Sequence, residues 1–90
     1  MEEPLRKKLD ARTLGRLEQG TAQGPFEIFV GLNNPPTPGQ QAELRQAGYV
    51  LRTLSGTIST GIAADVASLQ RIAMLPFVRT IEVSRALYQE

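Results

Sequence analysis

The clearest hydrophobic pattern in the chain is the alternation over residues 26–32, FEIFVGL. Every second residue of this segment is apolar and β-favouring, which is the period of a strand with one buried face. Three later segments have a similar character, namely residues 49–54 (YVLRTL), residues 57–63 (TISTGIA) and the stretch after Pro76. In that last stretch charged residues stand between the β-favouring ones, which is typical of an edge strand. The pattern predicts four short strands.

Two segments between these strands carry helical signals at their ends. In the first, Thr37 and Gln40 form a capping-box pattern around a proline at the first helical position, and Gly48 is placed to end the helix. The second begins at Asp65 and has apolar residues at helical spacing until Pro76, which ends it because proline lacks a backbone N–H. Both segments are therefore predicted to be short helices.

Residues 1–24 are crowded with charges that nearly cancel, and leucines recur among them at roughly helical spacing. With Asp10 as a candidate N-cap and Gly20 as a candidate stop, they predict a loosely attached N-terminal helix. Residues 21–25 then form a turn or short linker. We therefore expect a charged helical extension and linker over residues 1–24 and one folded domain over residues 25–90.

The predicted order after the N-terminal helix is β-α-β-β-α-β, which is the order of the ferredoxin-like fold. Right-handed crossovers place both helices on one face of a four-stranded antiparallel sheet, with the first and third strands in the centre. The fold class is thus predicted to be α+β, a ferredoxin-like βαββαβ sandwich preceded by an N-terminal helix. The other face of the sheet has no helix to cover it.

The composition excludes several kinds of chemistry, because the 90 residues include no cysteine and no histidine. Disulfides, zinc fingers and a histidine base are therefore unavailable to this chain, and so are the Ser-His-Asp and Cys-His arrangements. The serines have no local base, and the carboxylates have no metal-ligand spacing. We predict that the protein is not an enzyme and uses no cofactor or metal.

Ten basic and nine acidic residues give a net charge of +1, which is too balanced for a nucleic-acid-binding protein. Phe29 and Tyr49 invite comparison with the stacking aromatics of RNA-binding sheets, but the third strand has neither an aromatic nor a positive residue. We expect Phe29 to pack beneath a loop or the N-terminal helix.

No segment has the pattern of a signal peptide or a membrane span, so we expect a soluble protein. The sequence does not indicate its compartment.

One side of the third strand is small and flat, because it carries Thr57, Ser59 and Gly61. Glycine inside a strand marks either a bulge or the close approach of another backbone or of a partner, and the sequence leaves these interpretations open. Ser59 and Gly61 are therefore candidate partner-binding residues.

Three segments together resemble the propeptide domains of subtilisin-like serine peptidases, which share their fold with the stand-alone inhibitor-I9 proteins. These segments are NNPPTP at the start of a helix, the hairpin YVLRTLSGTISTGIA, and LPFVRTIEVSRAL. The resemblance covers roughly Phe26 to Tyr88. The charged N-terminal helix departs from the family, and the chain contains no peptidase region.

The resemblance implies an intramolecular chaperone and inhibitor that binds a subtilisin-like serine peptidase, in cis or in trans. In the family, the helix-free sheet face packs on two helices of the peptidase, acidic groups cap those helices, and the C-terminal tail lies in the substrate cleft. Carried over, Glu82 is the capping carboxylate. The cleft-binding residues are Ser84, Arg85, Ala86, Leu87 and Tyr88.

Other interpretations remain open at this point. Glu82 is equally consistent with an edge-strand charge that discourages aggregation, and Leu87 and Tyr88 with residues that fold back on the N-terminal helix. The domain as a whole is also consistent with a non-enzymatic association module that uses the helix-free face or an edge strand, including for self-association. A small-ligand regulatory domain is a third alternative, although no convergent polar pocket is evident.

Overall fold

The computed structural model describes residues 3–18 and 24–86, and the side chains of residues 6–12, 14–15 and 24–84. They form a small α+β domain with a four-stranded antiparallel sheet, which confirms the predicted class. The sheet order is β2-β3-β1-β4, so β1 and β3 are central and β2 and β4 lie at the edges. The elements in chain order are α1 (Glu3–Lys8), α2 (Ala11–Glu18), β1 (Phe26–Leu32), α3 (Pro38–Gln46), β2 (Tyr49–Ser55), β3 (Ile58–Ala63), α4 (Val66–Ala73) and β4 (Val78–Ala86).

The sheet register determines which side chains share a face, because residues directly opposite each other in an antiparallel pair point to the same side. Phe29 on β1 lies opposite Thr60 on β3 and Glu82 on β4. The pairing of β1 with β4 shifts at two places, once beside Glu27 and once beside Gly31. These irregularities bend the pairing at both ends of β1.

The hydrophobic core lies between one face of the sheet and the helices α3 and α4. α3 contributes Leu44, and α4 contributes Leu69 and Ile72, all of them fully buried. The core hydrophobic residues are Leu9, Phe26, Ile28, Val30, Leu32, Leu44, Ala47, Tyr49, Ala63, Leu69, Ile72, Ala73, Val78 and Ile81. We call this side of the sheet the covered face.

One polar network lies inside this core. The Tyr49 hydroxyl is 2.9 Å from Ser59 Oγ, and Ser59 Oγ donates to the Val30 carbonyl at 3.4 Å. Burial raises the pKa of Tyr49, so the phenol stays protonated and keeps its hydrogen-bonding capacity at neutral pH. Because both hydroxyl groups have hydrogen-bond partners, a tyrosine and a serine can be buried there at little cost.

Both predicted helices begin at the predicted residues. At α3, the Gln40 N–H donates to Thr37 Oγ1, and the Thr37 N–H donates to Gln40 Oε1, each at 3.1 Å, which completes the capping box. At α4, Asp65 accepts from the Ser68 N–H at 2.8 Å. That backbone hydrogen bond is the main reason why the pKa of Asp65 is below its usual value.

Replacing Thr37 with alanine should lower the free energy of unfolding by about 1 kcal/mol, because the Gln40 N–H at the start of α3 loses its side-chain acceptor. Urea denaturation followed by circular dichroism would measure the change. Thr37→Ser keeps the hydroxyl and is the matched control. An equal loss in both variants would contradict the capping explanation.

Cations occupy the C-terminal ends of both core helices, where carbonyl groups lack helical partners. Arg71 Nε donates to the carbonyl of Ala47, just after α3, at 3.2 Å. Lys8 Nζ donates to the carbonyls of Ala73 at 2.7 Å and Leu75 at 3.2 Å, at the end of α4. Desolvation lowers the pKa of Lys8. These contacts connect α3 with α4, and α4 with the N-terminal segment.

The N-terminal segment differs from the single, loosely attached helix predicted from its leucines. It forms two short helices, and α2 begins at Ala11, directly after the predicted N-cap Asp10. Between the two helices the backbone of Leu9 pairs with Ile81 of β4 as an isolated parallel bridge. Leu9 is only 6% exposed and belongs to the hydrophobic core. α1 packs against α4 and β4. The predicted stop at Gly20 lies outside the described residues.

Candidate partner-binding surface

The face of the sheet opposite α3 and α4 is the candidate functional surface, which we call the open face. Its residues follow from the register, because Ser59 points into the core and its neighbours Ile58 and Thr60 therefore point away from it. The open-face residues are Glu27, Phe29 and Gly31 on β1, Val50, Thr53 and Ser55 on β2, Ile58, Thr60 and Ile62 on β3, and Thr80 and Glu82 on β4. Ser84, at the register shift of β4, joins them through its contact with the Glu27 side chain.

Large apolar side chains are exposed on the open face. Phe29 is 39% exposed, Ile58 44% and Val50 62%. They belong to three adjacent strands, and Ile62, which is half-buried, lies opposite Val50. An apolar group spread over adjacent strands and surrounded by polar residues is typical of a protein-interaction surface.

Two carboxylates lie beside this apolar group. Glu82 is exposed on edge strand β4, directly opposite Phe29. Glu27 is half-buried, and Ser84 Oγ lies 2.9 Å from its Oε1 and 3.0 Å from its carbonyl oxygen. Sequence reasoning did not single out Glu27, although its alternation with Phe29 already placed both residues on one face. The β4 side of the open face is therefore partly anionic.

A groove of about 480 Å³ runs between the open face and the N-terminal segment. Residues 7–10 form its outer wall, and Phe29, Gly31 and Ile58 are among the sheet residues that line it. A Cβ at Gly31 would clash with Thr80 Oγ1, so the Thr80 hydroxyl occupies the space that a side chain at this position would need. The groove also includes Glu82.

Ser59 and Gly61 lie on the covered face, away from the other predicted binding residues. Ser59 is fully buried beneath the core helices. A Cβ at Gly61 would lie 2.3 Å from the Val50 carbonyl oxygen and 2.7 Å from the Tyr49 ring. The close approach that this glycine marks is therefore to the domain's own strand β2, and we leave both residues out of the candidate surface.

The predicted tail residues divide into two groups. Ser84, Arg85 and Ala86 belong to β4, where Arg85 lies opposite Glu27 and Ala86 opposite Phe26. The side chains of Arg85 and Ala86 are not described. Leu87 and Tyr88 lie outside the described residues. The first three residues of the predicted cleft-binding segment are therefore part of the sheet.

The two aromatic residues compared with RNA-stacking side chains lie on opposite faces. Tyr49 is buried against the helices, whereas Phe29 is exposed on the open face and lines the groove with Leu9 and Asp10. They do not form a common stacking platform. Phe29 was expected to pack beneath a loop or the N-terminal helix; it lies beside the N-terminal segment across the groove but remains 39% exposed.

Neither a candidate metal site nor a membrane-spanning helix is found among the described residues. Across residues 3–18 and 24–86, no group of three or more acidic residues is arranged to hold a metal ion. None of the helices in the described part of the chain has the length and apolarity needed to cross a bilayer.

Comparisons with known proteins place no constraint on the function. No protein-family model matches the sequence, and searches of curated proteins and of solved structures gave no significant match. The functional assignment therefore depends on the open face and on the sequence resemblance.

Proposed function

We propose that this chain is a ferredoxin-like domain that acts as a propeptide-type chaperone and inhibitor of a subtilisin-like serine peptidase. The observation that supports this most directly is the open face, where exposed Phe29 and Ile58 lie beside Glu82 on the edge strand. That strand leads into the segment that contains Leu87 and Tyr88. Apolar contact, a carboxylate and an extended tail are the three elements that the resemblance requires.

The apolar group would pack on the two surface helices of the peptidase. A carboxylate beside such a contact finds a favourable partner in a helix N-terminus, where N–H groups are unsatisfied and the helix dipole is positive. Glu82 is exposed next to Phe29 and is the primary candidate for this contact. Glu27 is a second candidate, because Ser84 positions its carboxylate.

The tail would inhibit by occupying the substrate cleft as an extended strand, with main-chain hydrogen bonds to the peptidase. Because β4 is paired with β1 up to Ala86, the cleft-binding part begins after this residue in our proposal. Leu87 and Tyr88 would then enter the specificity pockets, while Ser84 remains a positioning residue for Glu27. This divides the tail predicted from the sequence into a sheet part and a cleft part.

The same surface accounts for a chaperone activity. A ligand that binds only the native state of the peptidase shifts the folding equilibrium towards that state by mass action. The open face would bind two helices that are correctly placed only after the peptidase has folded. Assistance to folding and inhibition are then two results of one interface.

The proposal is tested by inhibition assays with a panel of subtilisin-like peptidases, using the 90-residue chain and a variant that ends at Ala86. We expect inhibition of at least one peptidase, and a loss of about 100-fold or more on truncation, since the cleft contacts disappear. The cut after Ala86 keeps all of β4 and the contact between Ser84 and Glu27.

Folding of both proteins should be verified by circular dichroism before the comparison. A folded chain that inhibits no member of the panel would contradict the proposal. If that chain instead forms oligomers that depend on the open-face residues, the alternative of an association module would replace it. Unchanged inhibition by the truncated chain would exclude the cleft-binding tail.

A further inference from the structure

The outer edge of β4 is occupied by the chain's own N-terminal segment. Residues 8–10, which we call the strap, comprise the last residue of α1 and the two residues that connect it to α2. The backbone of Leu9 pairs with Ile81, the fourth of the nine residues in β4. The strap also forms part of the outer wall of the groove on the open face.

Two side chains hold the strap in place from the core side of the sheet. Leu9 inserts into the hydrophobic core and is 6% exposed. Lys8 binds the carbonyl groups of Ala73 and Leu75 at the end of α4. An apolar anchor and a charged cap therefore both fix the segment next to β4.

An unprotected edge strand presents a row of N–H and C=O groups that another strand can pair with, which leads to association between chains. β4 has two features that favour such pairing between chains, since it is nine residues long and rich in β-favouring side chains. The charges of Arg79 and Glu82 oppose pairing only partly. A backbone bridge near the middle of β4 leaves no long uninterrupted edge for an incoming strand.

We propose that the strap is an edge guard, which closes β4 to strand addition by a second copy of this chain. This role is independent of the proposed peptidase inhibition, since it concerns only the domain's own edge. It also gives a function to the N-terminal segment, which the propeptide resemblance does not explain.

The test uses Leu9→Asp in the 90-residue chain, because a carboxylate cannot remain in the apolar site and the strap should leave β4. Sedimentation velocity over a concentration series measures self-association. Amide hydrogen exchange measures protection of residues 79–83. We expect self-association at roughly tenfold lower protein concentration than for the unmodified chain, and exchange about tenfold faster in these residues.

Two variants serve as controls. Leu44→Ala removes a buried side chain from α3 and destabilises the core away from β4. Arg71→Met removes the cation at the end of α3, the counterpart of the Lys8 contact at the end of α4.

Lys8→Met is a second test variant, which removes the contact of the strap with α4 but leaves Leu9 in the core. We expect it to remain folded and to show smaller increases in self-association and in β4 exchange than Leu9→Asp.

The comparison among these variants decides the proposal. It is supported if Lys8→Met and Leu9→Asp increase self-association and β4 exchange while Arg71→Met and Leu44→Ala do not. Equal association in strap and control variants would mean that general destabilisation is responsible, and would overturn it. Unchanged association of a folded Lys8→Met protein with faster β4 exchange would also overturn it, because the edge would then open without attracting a strand.

Discussion

Replacing Phe29 with glutamate should weaken inhibition of a responsive subtilisin-like peptidase by about 100-fold or more, while the domain remains folded. Phe29 is at the centre of the open face, between Thr60 on β3 and Glu82 on β4. In the proposed complex its ring is buried by the peptidase, so a carboxylate at this position would be desolvated without a partner. It would also repel Glu82. Inhibition constants measured against the unmodified chain would give the effect.

Leu54→Glu is the matched control, because Leu54 is 40% exposed and Phe29 is 39% exposed. Leu54 lies opposite Ser59 and therefore projects from the covered face of the sheet. Both substitutions add one negative charge at a partly exposed apolar residue of a strand. Equal losses of inhibition in the two variants would indicate a general effect of charge or stability, and would count against the open face as the binding surface.

Local signals in the sequence were sufficient for the α+β class and most elements. The alternation over residues 26–32 coincides with β1, the predicted N-cap Thr37 caps α3, and Asp65, predicted as the residue where the second helix starts, is the N-cap of α4. These signals are reliable because strand period and helix capping depend on neighbouring residues alone. The predicted central and edge positions of the strands also agree with the observed sheet order.

The N-terminal segment was harder to predict because its structure depends on a contact distant in sequence. Leucine spacing and the candidate N-cap Asp10 indicated one helix, and α2 does begin directly after Asp10. The separate helix α1 and the backbone bridge from Leu9 to Ile81 were not predicted. Nothing within residues 1–24 identifies β4 as the pairing partner of Leu9. Tertiary contact here outweighs local helix propensity, which is a weak determinant in short segments.

The side of β3 that faces the core could not be read from the sequence, for a different physical reason. A period of two separates the faces but does not say which one the helices cover. Ser59 and Gly61 formed the smaller side and suggested contact with a partner, yet the small side faces the core, where the Tyr49 ring fills the space above Gly61. The more apolar side, with Ile58 and Ile62, faces outward. An exposed apolar face of this kind is itself an indication of binding.

Substituting Gly61 with alanine should lower the free energy of unfolding by about 2–3 kcal/mol, at the upper end of the usual cost of overpacking. The new Cβ would lie 2.3 Å from the Val50 carbonyl oxygen, which belongs to the backbone of β2 and cannot rotate away. The Tyr49 ring, 2.7 Å away, would also have to move, although its hydroxyl is held by a hydrogen bond with Ser59 Oγ. Urea denaturation would measure the loss.

Gly15→Ala is the matched control, since it makes the same chemical change at a site with opposite surroundings. Gly15 lies within α2, and a Cβ there meets no atom within 4 Å. Alanine favours the helix over glycine by up to ~1 kcal/mol, so this variant should be as stable as the unmodified chain or more so. If the free energy of unfolding falls in Gly61→Ala and rises in Gly15→Ala, residue 61 must be glycine because no space is available for a side chain there. A tolerated Gly61→Ala would mean that β2 and Tyr49 can shift, and that Gly61 is not a tight contact between β3 and β2.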